Sequence, residues 1–454
     1  MALLIKNGNL VLEDGVRTAD LRCDGGVIVT IGENLVPEAG DEVMDASGMY
    51  VMPGVIDSHV HYKMAIGNVC TVDNFETGSR SAACGGVTTV VDYADPLPGK
   101  SLVESLDYRR HEARRAFVDH TFHMVITPES GWTREDLKAL KEYGVNSLKL
   151  FTTYGDMLAY DQMEEIIGLA GELGLVVTIH AEDNQIVADQ VAALKAEGKT
   201  QPAYHGVSRP ASAEVEAVKK LVEISKKVDA GIHIVHVSAG ETGEVIRKAR
   251  EEGVKITAET CPHYLELDDS VYQWKNAQLF VMQPPLRKPE DRRLLWENVQ
   301  KGTFDFFTTD HCAYSEAQKF SHDTFFETNG GIPGSETLLP VLFSEGVSKG
   351  RISVEQLSRM LSENPARLFG LFPRKGVLRP GSDADLVIVD PEKQVTLDKD
   401  LLHSAADYST FEGMTLTGYP VCTVLRGRIL FRDGHFLPGD PFGRFVPISH
   451  EGDH

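Results

Sequence analysis

Between about residues 53 and 374 the chain alternates short apolar runs with longer stretches of helical spacing. The runs are GVIDSHVH, VTTVVDY, HTFHMVIT, SLKLF, LVVTIHAE, IHIVHVS, VKITAET and FDFFTTD, separated by segments such as TREDLKALKEYG and ETGEVIRKAREEG. Parallel strands joined by helices cross over right-handedly, and eight such units predict a (β/α)8 barrel. In that architecture the chemistry sits at the C-terminal ends of the strands. Those ends here carry His59, His61, Asp92, Lys149, His180, His236 and Asp310.

Both termini read differently. Residues 1–52 and 375–454 are short β-type runs broken by turn dipeptides at Asp14-Gly15, Gly25-Gly26 and Asp433-Gly434. They predict two halves of one small β-sandwich, the second followed by a C-terminal tail, flanking the barrel of an α/β protein. With 45 Lys and Arg against 67 Asp and Glu, the net charge of -22 gives no general attraction for nucleic acid or anionic lipid. No apolar stretch approaches the roughly 18 residues that span a bilayer, and the N-terminus lacks the pattern of a secretory signal. Six scattered cysteines without a Cys-x-x-Cys pair signal neither a disulfide framework nor a thiolate zinc site, and a reducing cytoplasm is expected.

The pair His59-x-His61 is weak evidence by itself, since 16 His in 454 residues give about 0.6 such pairs by chance. Its context is stronger: residues i and i+2 of a strand share a face, so both imidazoles would enter the barrel mouth. His180 ends LVVTIH and His236 ends IHIVH, where alternation places His236 inward and His233 on the opposite face as a structural residue. Asp310 closes a run too apolar to carry a carboxylate inward without a cationic partner. Four imidazoles and a carboxylate without thiolate suit zinc, with manganese, cobalt or nickel as alternatives. Lys149, in the middle of SLKLF, would repel a metal as an ammonium, and its plain reading is an ion pair, for example with Asp310.

The chain resembles the cyclic amidohydrolases of the dihydropyrimidinase and hydantoinase family along essentially its whole length. The resemblance runs through GVIDSHVH, DNFETGSRSAACGGVTTVVD, SLKLFTTYGDM, TIHAEDN, HIVHVSAGE, ETCPHYLELDD, PPLRKPEDRRLLW, TDHCAYSEAQK, NGGIPGSE, ENPARLFGL and GSDADLVIVD. It implies a lysine carboxylated by carbon dioxide at Lys149, whose carbamate bridges two zinc ions together with a hydroxide. His59, His61 and Asp310 would bind one metal, and His180 and His236 the other. The implied reaction opens a cyclic amide or imide, with Asp310 carrying the proton to the leaving nitrogen, Tyr154 donating to the oxyanion, and Gln283 and Asn329 at the ring-binding wall. A homotetramer, or else a dimer, is the family's usual assembly.

Three departures from the family pattern bear on specificity. Gln283 replaces a usual Ser. Lys63 stands where dihydroorotases and allantoinases often carry an Arg, so it is either a reader of an anionic substituent or a lysine at the pocket rim. GSETLLP replaces the Glu-Asp-Arg of the dihydropyrimidinase branch and leaves the enantiomer preference open. The rivals are allantoinase or dihydroorotase, and a non-enzymatic scaffold like the collapsin response mediator proteins, which have lost metal ligands that this chain retains. Cys312 has no partner for nucleophilic catalysis, and Cys261 and His263 are read as structure or pocket wall.

Overall fold

The computed structural model describes residues 2–437 and 439–448, so positions 449–454 of the expected tail lie outside the described residues. Eight parallel strands form the central sheet: β1 (Val55–Val60), β2 (Val87–Ala94), β3 (Asp119–Val125), β4 (Ser147–Phe151), β5 (Val176–His180), β6 (Ile232–Ile234), β7 (Ile256–Thr260) and β8 (Phe306–Phe307). They are ordered in space as in sequence. A parallel bridge between Val60 and His311 closes the ring, with His61 N–H donating to the His311 carbonyl at 2.7 Å and His311 N–H to that of His59 at 3.3 Å. All residues of β1, β2 and β3 are buried, which explains why these runs do not alternate apolar with exposed polar residues: a barrel strand is covered on both faces.

Helix ends aim the strands that matter. Arg134–Tyr143 starts from a capping box between Thr133 and Asp136 and stops at Gly144, while Tyr160–Leu173 stops at Gly174. Both glycines are left-handed, with φ of 103° and 66°. Only a residue without Cβ adopts this conformation freely, and it turns the chain directly into β4 and β5.

The termini share a second sheet of nine strands. Its seam is the antiparallel pairing of Tyr50–Pro53 with Leu386–Thr396, which places Pro53 opposite Leu386 and Tyr50 opposite Val389. The core beneath it draws on both chain ends, including Leu3, Ile5, Leu21, Ile28, Leu386, Ile388 and Val424. Positive φ at Gly25 and Gly26, and at Asp433 and Gly434, gives two of the three hairpin turns that the dipeptides predict, and Gly15 pairs with Leu12 at the third. No helix among the described residues is long and apolar enough to cross a membrane.

The two units are locked by a buried charge network at the start of β3, the end of the barrel away from the strand-end cluster. Lys375 Nζ lies 2.6 Å from Asp119, 2.9 Å from Asp383 and 2.5 Å from Asp385, and Arg426 also pairs with Asp119. Burial would depress the Lys375 pKa, but the three carboxylates overcome it and push it up to about 12. A lysine so enclosed is costly to remove on its own, because its partners stay buried and charged. Lys375→Met should therefore destabilise the fold by about 3–5 kcal/mol, seen as a lower urea midpoint; an unchanged midpoint would show that the network does not lock the two units.

Candidate metal centre

His59 and His61 leave the end of β1 with ring centroids 5.2 Å apart, and the Nε2 of each lies 3.2 Å from Asp310 Oδ1. Closure of the barrel produces this convergence, because Asp310 directly precedes the His311 that pairs with β1. Facing them are His180 at the end of β5 and His236 after β6, with His180 Nδ1 and His236 Nε2 2.9 Å apart. The His59 and His236 rings are 5.3 Å apart, so the two groups are contiguous.

The outer nitrogens show how the rings are aimed. His59 Nδ1 is 2.6 Å from Glu259 Oε1, and His180 Nε2 is 2.7 Å from Glu182 Oε2. A carboxylate on one ring nitrogen fixes the tautomer and turns the lone pair of the other toward a cation. Glu259 and Glu182 are absent from the sequence reading, although Glu259 is the penultimate residue of β7, as His59 is of β1, and Glu182 lies two residues past His180. Both carboxyls are held well below the usual range: against burial, His59 and His233 act on Glu259, and Arg209 and His180 on Glu182.

One expectation needs correction. His233 is not on the opposite face from His236: its Nε2 lies 3.1 Å from Glu259 Oε2, so it reaches the same interior as His59. Strand alternation fails because β6 ends at Ile234, and His236 has φ of 39°, which swings its ring back inward. Positive φ also marks Tyr154 (74°), Asp310 (50°) and Lys63 (50°). Non-glycine residues hold this conformation only where the surroundings impose it, a pattern that concentrates at functional sites.

Lys149 is 1% exposed in β4, with Nζ 5.1 Å from the ring centres of both Tyr93 and Phe151. Tyr93 stacks on His61 at 4.6 Å and Phe151 lies 6.1 Å from His180, so the amine sits between the two histidine pairs. Its expected ion pair with Asp310 is not formed among the described residues. Burial lowers its pKa to about 8, the charges of Asp310 and Glu259 opposing at longer range. Asp310 is held well below the normal carboxylate range, since His59 and His61 overcome its burial.

The remaining expected residues are placed unequally. Tyr154 is 38% exposed with its ring 4.9 Å from His180, at the mouth of the cluster. The Asn329 side chain donates to the Gln318 carbonyl at 2.9 Å, and its own main-chain carbonyl accepts from Lys319 Nζ at 2.8 Å. Gln283 is half-buried and packs on Gly330 so closely that a Cβ there would lie 1.9 Å from its Oε1. Lys63 is not drawn into the cluster: its ammonium pairs with Glu112 at 2.6 Å and its side chain is 51% exposed, as a rim lysine would be. Asp92 holds Arg109 and the Tyr62 N–H, which braces the His61 loop and is not part of the cluster. Cys312 is buried with its thiol pushed up to about 12, unsuited to nucleophilic attack.

The donor set fits a pair of divalent cations: imidazole nitrogens and carboxylate oxygen, two rings aimed by carboxylates, and a buried amine with no ion pair among the described residues. Replacing Glu259 by Gln should weaken zinc binding to the metal-stripped protein about 10–100-fold. Calorimetric titration checks this, and undiminished affinity would mean that Glu259 does not aim His59.

The amidohydrolase family model matches residues 50–430. A D-phenylhydantoinase of Escherichia coli O7:K1 is 38% identical over 451 residues, covering 98% of each chain. Among solved structures, a D-hydantoinase superposes with a TM-score of 0.96 at 35% identity over 99% of each chain. A dihydropyrimidinase from Brevibacillus agri gives 0.95 at 34% identity, covering 99% of this chain and 100% of the other. An L-hydantoinase from Arthrobacter aurescens gives 0.90 at 30%, covering 98% and 99%. The matched span includes all eight barrel strands and every residue of the cluster, and the chain belongs to the amidohydrolase family.

Proposed function

We propose that this hydrolase opens a dihydropyrimidine or 5-substituted hydantoin ring to an N-carbamoyl amino acid, at a centre of two zinc ions held by His59, His61, Lys149, His180, His236 and Asp310. The observation that carries this reading is the convergence of four imidazoles and Asp310 around a buried lysine that has no ion pair among the described residues. Full-length similarity to hydantoinases and a dihydropyrimidinase supports the cyclic amide as substrate. The six free cysteines are in keeping with a reducing cytoplasm, and a homotetramer is the assembly that accompanies this reading.

When bound, the metal pair supplies an activated water and polarises the ring carbonyl. The chain's own residues do the rest. Burial lowers the Lys149 pKa to about 8, so a useful fraction of neutral amine exists near neutral pH to add carbon dioxide. The resulting carbamate carries the negative charge that an ammonium could not offer to a cation. Asp310, ionised at neutral pH, accepts the proton of the attacking water and returns it to the ring nitrogen as the C–N bond breaks. The products balance: the carbonyl carbon gains the oxygen and the nitrogen gains the hydrogen. Tyr154, at the mouth beside His180, donates its phenolic proton in a hydrogen bond to the carbonyl oxygen as negative charge develops there.

The deciding experiment is the initial ring-opening rate of the zinc- and bicarbonate-loaded protein on dihydrouracil, both enantiomers of 5-substituted hydantoins, allantoin and dihydroorotate. Preference for dihydrouracil or a hydantoin upholds the reading and reads out the handedness; preference for allantoin or dihydroorotate replaces it. Asp310→Asn should keep the fold yet lose at least about 100-fold in kcat, and near-normal turnover would remove its role as proton carrier. Lys149→Ala should fail to assemble the two-metal centre, and elemental analysis finding two tightly held metals in it would refute the bridge.

A further inference from the structure

Behind the cluster lies a buried ion pair that the reaction as described does not use. Arg209, 9% exposed, sits just before the helix Ala211–Val228 and reaches Glu182, which is fully buried. Its Nε lies 3.1 Å from both carboxylate oxygens and its Nη2 lies 2.6 Å from Oε2. The same Oε2 is 2.7 Å from His180 Nε2. Ring nitrogen, carboxylate and guanidinium therefore form one line, and the His180 Nε2–H donates into it, leaving Nδ1 free to face His236.

The guanidinium makes a second contact, its carbon lying 4.9 Å from the centre of the Tyr154 ring. Tyr154 needs external support because its φ of 74° is unfavourable for a residue with a Cβ. Thr152 ties the same loop to the next strand end, its Oγ1 accepting from Glu182 N–H at 2.8 Å. Arg209 is itself braced, since Arg287 donates to its carbonyl oxygen. A buried ion pair alone adds little to stability over well-packed apolar residues. This one touches two groups of the site, and a planar fork that also stacks on a ring is a task lysine cannot perform.

We propose that Arg209 is a positioning residue for ring opening, holding Tyr154 and, through Glu182, His180 as one rigid unit. The proposal rests on the reading of Tyr154 as oxyanion donor and His180 as metal ligand. It makes the aim of the phenol and the aim of the imidazole depend on a single guanidinium.

The test compares Arg209→Lys, the charge-neutral pair Arg209→Met with Glu182→Gln, and Tyr154→Phe, each in the full chain. The readouts are kcat and KM for hydantoin opening and the visible spectrum of the cobalt(II)-loaded protein. Arg209→Lys should fold normally by circular dichroism, lose about 10–100-fold in kcat, change KM by less than about threefold, and shift the cobalt bands. Tyr154→Phe should lose kcat with the cobalt spectrum unchanged. If Arg209→Lys does not fold, the charge-neutral pair decides on the same readouts. Wild-type kcat and spectrum in a folded Arg209 variant overturn the proposal, and so does failure of both variants to fold, which would assign Arg209 to stability. Full activity of Tyr154→Phe would instead remove the oxyanion reading, whatever Arg209 does.

Discussion

The pairing of Val60 with His311 closes the barrel, and the site depends on that seam. The hydrogen bonds of His311 with the backbone of His59 and His61 bring two segments about 250 residues apart into register. With that register set, Asp310 can only meet the two rings that flank it, and one of its oxygens lies 3.2 Å from the Nε2 of each. The same short-range closure explains why β8 needs only two residues: the chain beyond it is held by the first strand and by the Ile332 bridge.

Around this seam the interior holds an unusual amount of charge, nearly all of it paired. Glu259 answers His59 and His233, Glu182 answers Arg209 and His180, and Asp92 answers Arg109. Lys375 answers three aspartates at the far end. Buried charges persist only with such partners, because desolvation costs several kcal/mol per ion, of order 5 or more. Among the described residues Lys149 and Lys319 are both buried without an ion pair; Lys319 donates to the Val281 and Asn329 carbonyls, whereas Lys149 lies against the Tyr93 and Phe151 rings, and burial draws its pKa down to about 8. A position that disfavours the ammonium is suited to a lysine whose working form is uncharged or modified.

Backbone strain follows the same geography. His236, Asp310 and Tyr154 all have positive φ just beyond the end of a strand, where the chain must turn and still send a side chain back over the barrel mouth. Regular strand geometry cannot meet both demands. The surrounding network therefore holds the turns: Glu259 receives the His236 N–H at 3.3 Å, and the Arg209 guanidinium lies on the Tyr154 ring.

Much of this was legible in the amino-acid order, because barrel strands announce themselves as apolar runs of regular spacing and their last residues are the ones that reach the mouth. The eight strands, the β-rich termini and the convergence of His59, His61, His180, His236 and Asp310 around Lys149 follow from that periodicity and from family motifs. Alternation misjudged His233, since a turn at His236 cannot be read from a pattern of two. Glu259, Glu182 and Arg209 were illegible for a related reason: a buried charge looks like a surface charge until its partner is known. Most of those partners lie far along the chain, His59 being 200 residues from Glu259 and Arg209 27 from Glu182, although His180 is only two from Glu182. The sequence by itself therefore determined which strands form and which side chains end them. Only the tertiary structure decided which ring nitrogens face each other, which carboxylates aim them, and that Lys63 is spent on Glu112, because those choices rest on long-range distances that no local pattern encodes.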